Sequence, residues 1–452
     1  MAFPHPAEGR VLKPPTPPRD GRTIGFWTCT ALVVGNTIGM GIFVLPASLA
    51  PFGYNALLGW GITVLGCLAL ARVLARLARL LPGADGPYGY VEHTLGGLPA
   101  YAVLWSYWVS NWITLAALAT GVAGYAAAIF PPLARVQPAV LGLGVLWLFV
   151  GVNLLGVRSG GRVQVVTTVM KLLPMLAVAV LGAWMLIESP ASYAAHPPAK
   201  PISLGDAMAA STLALFAMLG IESATIPAAK VDDPGRTIPR ATLTGTGITA
   251  AIYLVVSAVP LLLLPHAELA QSSAPFALVM ERFAGEGTGR WIALFVVVSG
   301  LGALNAWTLL SGEMMRTMAD NGTMPKVFAR TNAFGAPTAA LVLTASLASA
   351  MVLMNYSESA VAGFTFLSTV VTAANLPLYL GCSLALGVLW WRGQRDAGRD
   401  LLVAAVLGTA YTVFAFIGMG SQPFWLALAL TVAGLPLYFL LRRRHGRAVR
   451  NA

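Results

Sequence analysis

Two ionisable residues lie inside long apolar runs of the chain, where charges are rare. Lys171 falls within the run 162–187, and Glu222 falls within the run 205–228. A charge deep in a bilayer is costly and usually faces a cavity or a partner. Either side chain could move a proton or balance the charge of a bound solute. The alternative for each is a buried ion pair or a side chain that reaches the membrane surface.

Helix-breaking residues predict a second feature that could bind a ligand, namely unwound backbone inside the membrane. Residues 35–41 read GNTIGMG and residues 220–223 read GIES, with Pro46 and Pro227 following them. Each glycine costs about 1 kcal/mol in a helix interior, so both stretches predict unwound backbone. Non-helical backbone at membrane depth is tolerated only where it is buried in protein or lines a cavity, and its free amides suit a carboxylate. The alternative is close helix packing, because Gly35 and Gly39 form a GxxxG pair.

The elements that must position these residues are membrane-spanning helices. The chain of 452 residues is 57% hydrophobic and 10% charged, whereas soluble domains are about 25% charged. This composition excludes a soluble enzyme, a disordered chain and a disulfide scaffold, and the long unbroken runs exclude an outer-membrane barrel. Twelve spans are predicted, at 24–50, 54–72, 98–130, 138–156, 162–187, 205–228, 241–264, 288–312, 337–355, 360–390, 401–419 and 422–441.

The lysines and arginines predict how these spans are oriented. With the N-terminus in the cytoplasm, 23 of the 28 lie in cytoplasmic segments and four lie in outside segments. Cytoplasmic loops carry such an excess, so both termini are expected to be cytoplasmic. The net charge of +11 is spread over short loops and therefore indicates topology, not nucleic-acid binding.

The two interrupted spans are the first and the sixth, and this spacing predicts an internal repeat. Because five is an odd number, two five-span units have opposite orientations. Paired interrupted segments in inverted halves indicate a transporter with its site at the bilayer midplane. The repeats cover about 24–187 and 205–390, and helices 11 and 12 cover about 401–441. A transporter domain at 23–442 would then lie between a flexible cytoplasmic tail at 1–22 and a basic tail at 443–452.

Several segments are similar to the amino acid–polyamine–organocation superfamily, and within it to the basic amino acid/polyamine antiporters of the arginine/agmatine type. The resemblance covers roughly 22–440 and is carried by GNTIGMGIFVLPASLA (35–50), PGADGPYGYVEHTLG (82–96), RVQVVTTVMKLLP (162–174), GIESATIPAAKVDDPGRTIPRAT (220–242), SSAPF (272–276), WTLLSGE (307–313) and ADNGTMPKVFAR (319–330). It implies an all-α membrane protein of twelve helices with a LeuT-like 5+5 inverted repeat, broken helices 1 and 6, and alternating access. It also implies a possible homodimer and a bilayer of lipid as the surroundings.

The resemblance further implies site residues. The substrate carboxylate would lie on 39–41 and the amine near the carbonyls of 216–220, with Phe216 as the gating aromatic. The expected substrate-binding residues are Ile38, Gly39, Met40, Gly41, Ser110, Asn111, Leu115, Phe216, Leu219, Gly220, Trp307 and Ser368, with Leu118 and Thr369 beside them. The expected coupling and gating residues are Glu222, Lys171 and Phe216.

Some residues depart from the arginine/agmatine pattern. Met40 stands in place of a serine, Leu115 in place of an asparagine, and Phe216 in place of a tryptophan, the best cation–π partner. These changes weaken the prediction of arginine or agmatine as the substrate and leave a neutral amino acid or a different amine as equal alternatives. Lys171 resembles a lysine that, in other branches of the superfamily, stands where sodium-coupled relatives hold Na⁺, which favours sodium independence.

The sequence therefore predicts a secondary transporter in the cytoplasmic (inner) membrane, an amino acid/amine antiporter or a proton-coupled permease. An arginine/agmatine or polyamine antiporter is the alternative, and a nutrient sensor or channel on a transporter fold is a remote one. A membrane enzyme is disfavoured, because all five histidines fall outside the predicted spans and no HExxH, P-loop or GxSxG occurs. No cofactor and no metal are expected, since the three cysteines form no metal-binding pattern.

Overall fold

The computed structural model describes residues 24–84, 86–156, 161–197, 200–225, 231–393 and 399–441, and of 161–169 only the backbone. The predicted tails at 1–22 and 443–452 lie outside the described residues. So do three of the predicted cytoplasmic cations, Arg158, Lys230 and Arg395.

Helices make up most of the described chain, where the single extended feature is a bridge between Ile24 and Val231. The helices, with short 3₁₀ turns between several of them, are α1 (Phe26–Thr37), α2 (Gly41–Leu49), α3 (Asn55–Leu80), α4 (Gly86–Leu95), α5 (Gly97–Ile129), α6 (Pro138–Leu154), α7 (Gly161–Glu188), α8 (Leu204–Ala217), α9 (Pro234–Leu263), α10 (His266–Leu269), α11 (Pro275–Ala284), α12 (Thr288–Asp320), α13 (Thr338–Met354), α14 (Ala360–Trp391), α15 (Arg399–Gly418) and α16 (Ser421–Val432). After a turn, helical backbone resumes at 435–441.

Nine helical segments of the described chain are long and apolar enough to cross a membrane, and the bent pair α1–α2 makes a tenth. The helices α6 and α13 are also apolar but have only 17 residues each. The chain is therefore an all-α, multi-pass membrane protein.

Three predicted boundaries are wrong. The helix α9 begins at Pro234 instead of 241. The helix α3 continues to Leu80 instead of ending at 72, and α12 continues to Asp320 instead of ending at 312. Apolar runs mark only the part of a helix that lies in hydrocarbon, while arginine favours helix in water as well. Arg72, Arg76 and Arg316, which were predicted in loops, therefore lie on the last turns of these helices.

The helix α5 forms the centre of the bundle. It packs against α12, α13 and α14, and 83% of its most apolar stretch is buried. A helix with neighbours on all sides has no need of a polar face, which explains why its sequence is apolar all round. By contrast, only 11% of the corresponding stretch in Ser421–Leu441 is buried, so this last segment lies at the edge of the bundle.

A close contact between α3 and α8 positions half of the site described below. A Cβ on Gly59 would lie 2.7 Å from the backbone nitrogen of Ser211, so only glycine fits there. Beside it, the Thr63 hydroxyl donates to the carbonyl oxygen of Ser211 at 2.9 Å. Small residues and interhelical hydrogen bonds of this kind hold helices together in lipid, where the hydrophobic effect gives no advantage.

Candidate functional site

The break predicted in the first span is present. Between α1 and α2 the axis bends by 45°, and Ile38 adopts extended backbone with φ −72° and ψ 99°. No side chain caps the N-terminus of α2. The first amides of a helix have no acceptor within it, so those at the start of α2 are available to a ligand.

The last carbonyls of α1 find donors on two neighbouring helices. The Tyr253 hydroxyl of α9 donates to the carbonyl oxygen of Thr37 at 3.0 Å. The Lys171 ammonium of α7 donates to the carbonyl oxygen of Gly35 at 3.4 Å, and this lysine is only 5% exposed. Both donors tie the end of α1 to the surrounding bundle.

Regular α-helix also ends within the sixth predicted span, at the stretch predicted to unwind, while Pro227 beyond it lies outside the described residues. Regular helix ends at Ala217, and a 3₁₀ turn, Ile221–Ala224, continues the chain. Gly220 joins them with φ 106°, a left-handed conformation that glycine adopts without strain. The Ser223 hydroxyl donates to the carbonyl oxygen of Gly220 at 2.6 Å and holds the turn. The C-terminus of α8, with its partial negative charge, therefore ends inside the bundle.

The two breaks contact each other. A Cβ on Gly220 would lie 3.2 Å from the carbonyl oxygen of Asn36, at the end of α1. A Cβ on Gly41, at the start of α2, would lie 3.0 Å from the Phe216 ring. Each break thus presents a glycine to the other, and larger residues would force them apart.

A cavity of about 40 Å³ lies between the two breaks and the helices α5, α12 and α14. It exceeds the roughly 30 Å³ that one water takes up in the liquid, but ligand pockets usually measure about 300–1,000 Å³. Its lining residues are Asn36, Thr37, Gly39, Met40, Gly41, Ser110, Asn111, Thr114, Leu118, Phe216, Ala217, Leu219, Gly220, Glu222, Trp307 and Asn375.

The cavity is lined by one acidic side chain. Glu222 is the single charged side chain among the lining residues that the structure describes, and it is 1% exposed. Its Oε2 accepts a hydrogen bond of 3.0 Å from the Tyr379 hydroxyl of α14. The Tyr107 side chain of α5 also contacts this carboxylate. Two phenols therefore hold Glu222 in place without neutralising it.

Asn375 adds a second acceptor to the cavity. Its Oδ1 is buried and accepts no hydrogen bond from the described residues. A buried polar atom without a partner costs about 1–3 kcal/mol, so it favours a ligand that can donate to it. The cavity thus combines amide donors at α2 with acceptors at α8, Glu222 and Asn375.

The Met40 side chain leaves the cavity and packs between two helices. A Cβ on Gly121 of α5 would lie 2.8 Å from the Met40 Cγ, and one on Gly300 of α12 would lie 3.0 Å from its sulfur. These two glycines make room for a residue that is 1% exposed. The side chain of Met40 is therefore accommodated between α5 and α12.

The structure brings most of the predicted site residues together. Those that line the cavity are Gly39, Met40, Gly41, Ser110, Asn111, Phe216, Leu219, Gly220, Glu222 and Trp307, with Leu118 beside them. Whether they bind substrate stays a prediction.

Five predicted residues lie elsewhere. Ile38 and Leu115 are buried in the packing of the bundle, and Lys171 binds the end of α1 behind the cavity. The Ser368 hydroxyl donates to the carbonyl oxygen of Thr365 in its own helix at 3.0 Å. The Thr369 hydroxyl donates to the same carbonyl oxygen at 2.8 Å. Short polar side chains in helices often form hydrogen bonds to their own backbone. A serine in an apolar span therefore need not face a cavity.

Sequence reasoning missed several lining residues. Asn375 lies seven residues, or two helical turns, after Ser368 and so on the same face of α14. The signal was its polarity in the middle of an apolar span. Asn36 and Thr37 were inside the predicted unwound motif, and Thr114 lies one turn after Ser110 on α5.

Apolar helices that cross a bilayer, with two breaks that enclose a polar cavity, are typical of secondary transporters. The family model described as amino acid permease matches residues 24–436, and the chain belongs to this family of membrane transporters. It is 31% identical to the cadaverine/lysine antiporter of Escherichia coli (strain K12) over 437 residues, which are 94% of this chain and 96% of the relative. The putrescine transporter PotE of the same strain is 28% identical, with 94% and 98% covered. A putative arginine/ornithine antiporter of Bacillus subtilis (strain 168) is 30% identical, with 92% and 96% covered.

Proposed function

We propose that this protein exchanges a cationic amino acid for the diamine formed by its decarboxylation, across the cytoplasmic membrane and without sodium. The observation that carries the proposal is the charge of the cavity. Glu222 is its one described charged lining residue, and no lysine or arginine lines it. A buried carboxylate without a counter-ion favours a ligand that brings positive charge. The relatives named as antiporters of lysine, ornithine and diamines support the same class of substrate.

The two breaks provide a binding mode for both exchange partners. The carboxylate of the amino acid would bind the amides of 39–41, where α2 begins. The amine shared by both substrates would bind the C-terminal carbonyls of α8 and lie near Glu222 and Asn375. Phe216 and Trp307 would enclose the aliphatic part. A diamine lacks only the group that α2 binds, so one site would serve both.

The proposed mechanism is alternating access in a LeuT-like fold. Counting α6 and α13 with the ten longer segments gives twelve spans, as the sequence predicts. The breaks in the first and sixth spans support a 5+5 inverted repeat, with both termini in the cytoplasm. The cavity of about 40 Å³ must widen before a substrate fits, which is consistent with a bundle that changes shape during transport.

Lys171 supports the sodium-independent part of the proposal. Its ammonium donates to the Gly35 carbonyl beside the first break, so the protonated lysine places a positive charge behind the cavity. This charge would disfavour a second cation next to it. We assign Lys171 a coupling role, and Glu222 the role of balancing the charge of the substrate.

The test is counterflow into liposomes that contain the purified protein. Vesicles loaded with unlabelled lysine, ornithine, arginine, cadaverine, putrescine or leucine should take up labelled lysine only when the internal solute is cationic. Replacing sodium by choline should leave the rate unchanged. Glu222→Gln should lower the apparent affinity for lysine at least about 30-fold, because a buried charged partner is lost. Glu358→Gln, at an exposed carboxylate, is the matched control.

The result that would overturn the proposal is equally clear. Leucine counterflow as fast as lysine counterflow would exclude a cationic specificity. A Glu222→Gln protein with unchanged affinity for lysine would show that the carboxylate does not balance the substrate.

A further inference from the structure

A groove of about 630 Å³ lies on the outside of the bundle, far from the central cavity. It runs between the second half of α14 and the first half of α15, and Leu95 of α4 closes one side. Its walls are almost wholly apolar and include Leu384, Val388 and Val406. Because α14 and α15 are membrane-spanning segments, the medium in front of this groove is lipid.

The depth of the groove fits one leaflet. It extends along α14 from Ser383 to Trp391, eight residues, which at 1.5 Å per residue is about 12 Å. Half of the hydrocarbon core is about 15 Å thick. Trp391 is 71% exposed at the end of α14, and exposed tryptophans mark the level of the headgroups. The groove therefore begins at the membrane surface and ends near the middle of the bilayer.

Two arginines border the opening of the groove. Arg392 follows Trp391 directly and Arg399 begins α15, and both are exposed. Within the described part of the chain, neither forms an ion pair. Asp400, which follows Arg399 directly, is bound instead by Arg72 and Arg76 of α3. Among the described residues, the opening of the groove thus carries two arginines without an ion-pair partner.

We propose that this groove binds an acyl chain of an anionic phospholipid, with the phosphate of its headgroup at Arg392 and Arg399. The apolar walls match the acyl chain, and the arginines match the phosphate and its net negative charge. The lipid comes from the leaflet at this end of the bundle, which is the cytoplasmic leaflet in the proposed orientation. The site does not depend on which solute the cavity carries.

Quenching of tryptophan fluorescence by brominated lipid tests the proposal. The full chain is placed in vesicles of phosphatidylcholine that contain dibromo-phosphatidylglycerol or dibromo-phosphatidylcholine in both leaflets. The difference between the native chain and Trp391→Phe isolates the quenching of Trp391. We expect phosphatidylglycerol to bind there at least about fivefold more tightly than phosphatidylcholine, since one arginine near the surface contributes about that factor.

Three variants separate the parts of the site. Gly387→Leu fills the groove, because a Cβ at Gly387 meets only Ala405, at 3.8 Å. It should remove the quenching of Trp391 by either lipid. Gly144→Leu, at an exposed glycine of α6 with open space around it, is the matched control and should leave the quenching unchanged. In the double variant Arg392→Gln with Arg399→Gln, Trp391 should still be quenched, but phosphatidylglycerol and phosphatidylcholine should bind with about equal affinity.

Equal binding of the two lipids to the native chain would overturn the proposal, as would a Gly387→Leu protein with unchanged quenching of Trp391. A third outcome would also overturn it. If neither brominated lipid quenches Trp391 while cross-linking shows a dimer that Gly387→Leu dissociates, a second copy of the chain covers the groove.

Discussion

The two helix breaks that enclose the cavity differ in the groups they offer to a ligand. The first break ends α1 with carbonyls that Lys171 and Tyr253 already bind, and it begins α2 with free amides. The second break ends α8 towards the cavity and places Glu222 in the turn that follows. The first break therefore offers hydrogen-bond donors, and the second offers hydrogen-bond acceptors. This asymmetry gives the site a direction, which suits a zwitterion better than a symmetric solute.

The largest effect is expected where the two breaks touch. Gly220→Ala would strain a residue at φ 106° and place a methyl group 3.2 Å from the Asn36 carbonyl oxygen. Such strain costs about 1–3 kcal/mol, so lysine exchange should fall about 30-fold. Counterflow measures the rate. The control is Gly247→Ala, in α9 with open space around it, which should retain the native rate. If Gly247→Ala lowered the rate as much as Gly220→Ala, the loss would not be specific to the contact between the two breaks.

The donor behind the first break gives the second test. Lys171→Met keeps the length of the side chain but leaves the Gly35 carbonyl without its charged donor. A hydrogen bond to a charged group contributes about 1.5–3 kcal/mol, so the exchange rate should fall about tenfold. The difference in rate between pH 6 and pH 9.5 should also become smaller, and an unchanged pH dependence would argue against a coupling role. Lys200→Met removes a half-exposed lysine paired with Asp206 and should change little.

The packing beneath the first break gives a smaller effect. Gly121→Ala would place a methyl group 2.8 Å from the Met40 Cγ and push this side chain towards the cavity. The apparent KM for lysine should rise about fivefold, since overpacking costs about 1–3 kcal/mol. Adding Met40→Ala to Gly121→Ala should restore the KM, because the two residues are in contact. If the double variant is worse than either single one, Met40 does not mediate the effect.

The smallest effect distinguishes two polar residues on one face of α14. Asn375→Ala should raise the KM about threefold to fivefold by removing the free acceptor, which corresponds to about 1 kcal/mol. Ser368→Ala removes a hydroxyl that already donates to Thr365, and the KM should stay within twofold. If Ser368→Ala raised the KM more than Asn375→Ala does, Ser368 would contribute to substrate binding, as the sequence predicted.

The sequence predicted the positions of the breaks because glycine and proline act locally. Regular helix is lost at 38–40, inside the predicted stretch 35–41, and from 218 onwards, around the predicted stretch 220–223. Glycine favours such irregular backbone through its own conformational freedom. Which side chains reach the cavity depends on the rotation of each helix and on its neighbours. Leu115 and Ser368 lie on helices that were correctly identified, yet both are turned into the packing. The slot for Met40 depends on two glycines far away in sequence, Gly121 and Gly300, and no local pattern reveals that they meet.

The isolation of Glu222 from any basic lining residue bears on stoichiometry. At a pH where Glu222 is ionised, closing the site with nothing inside would leave its carboxylate uncompensated in a low-dielectric interior, at a cost of several kcal/mol. A loaded site closes without that penalty. The unladen return step is then slow by a factor of at least about 30. A carrier with this property passes one molecule inward for each molecule outward, and a gradient of either solute alone produces little net leak.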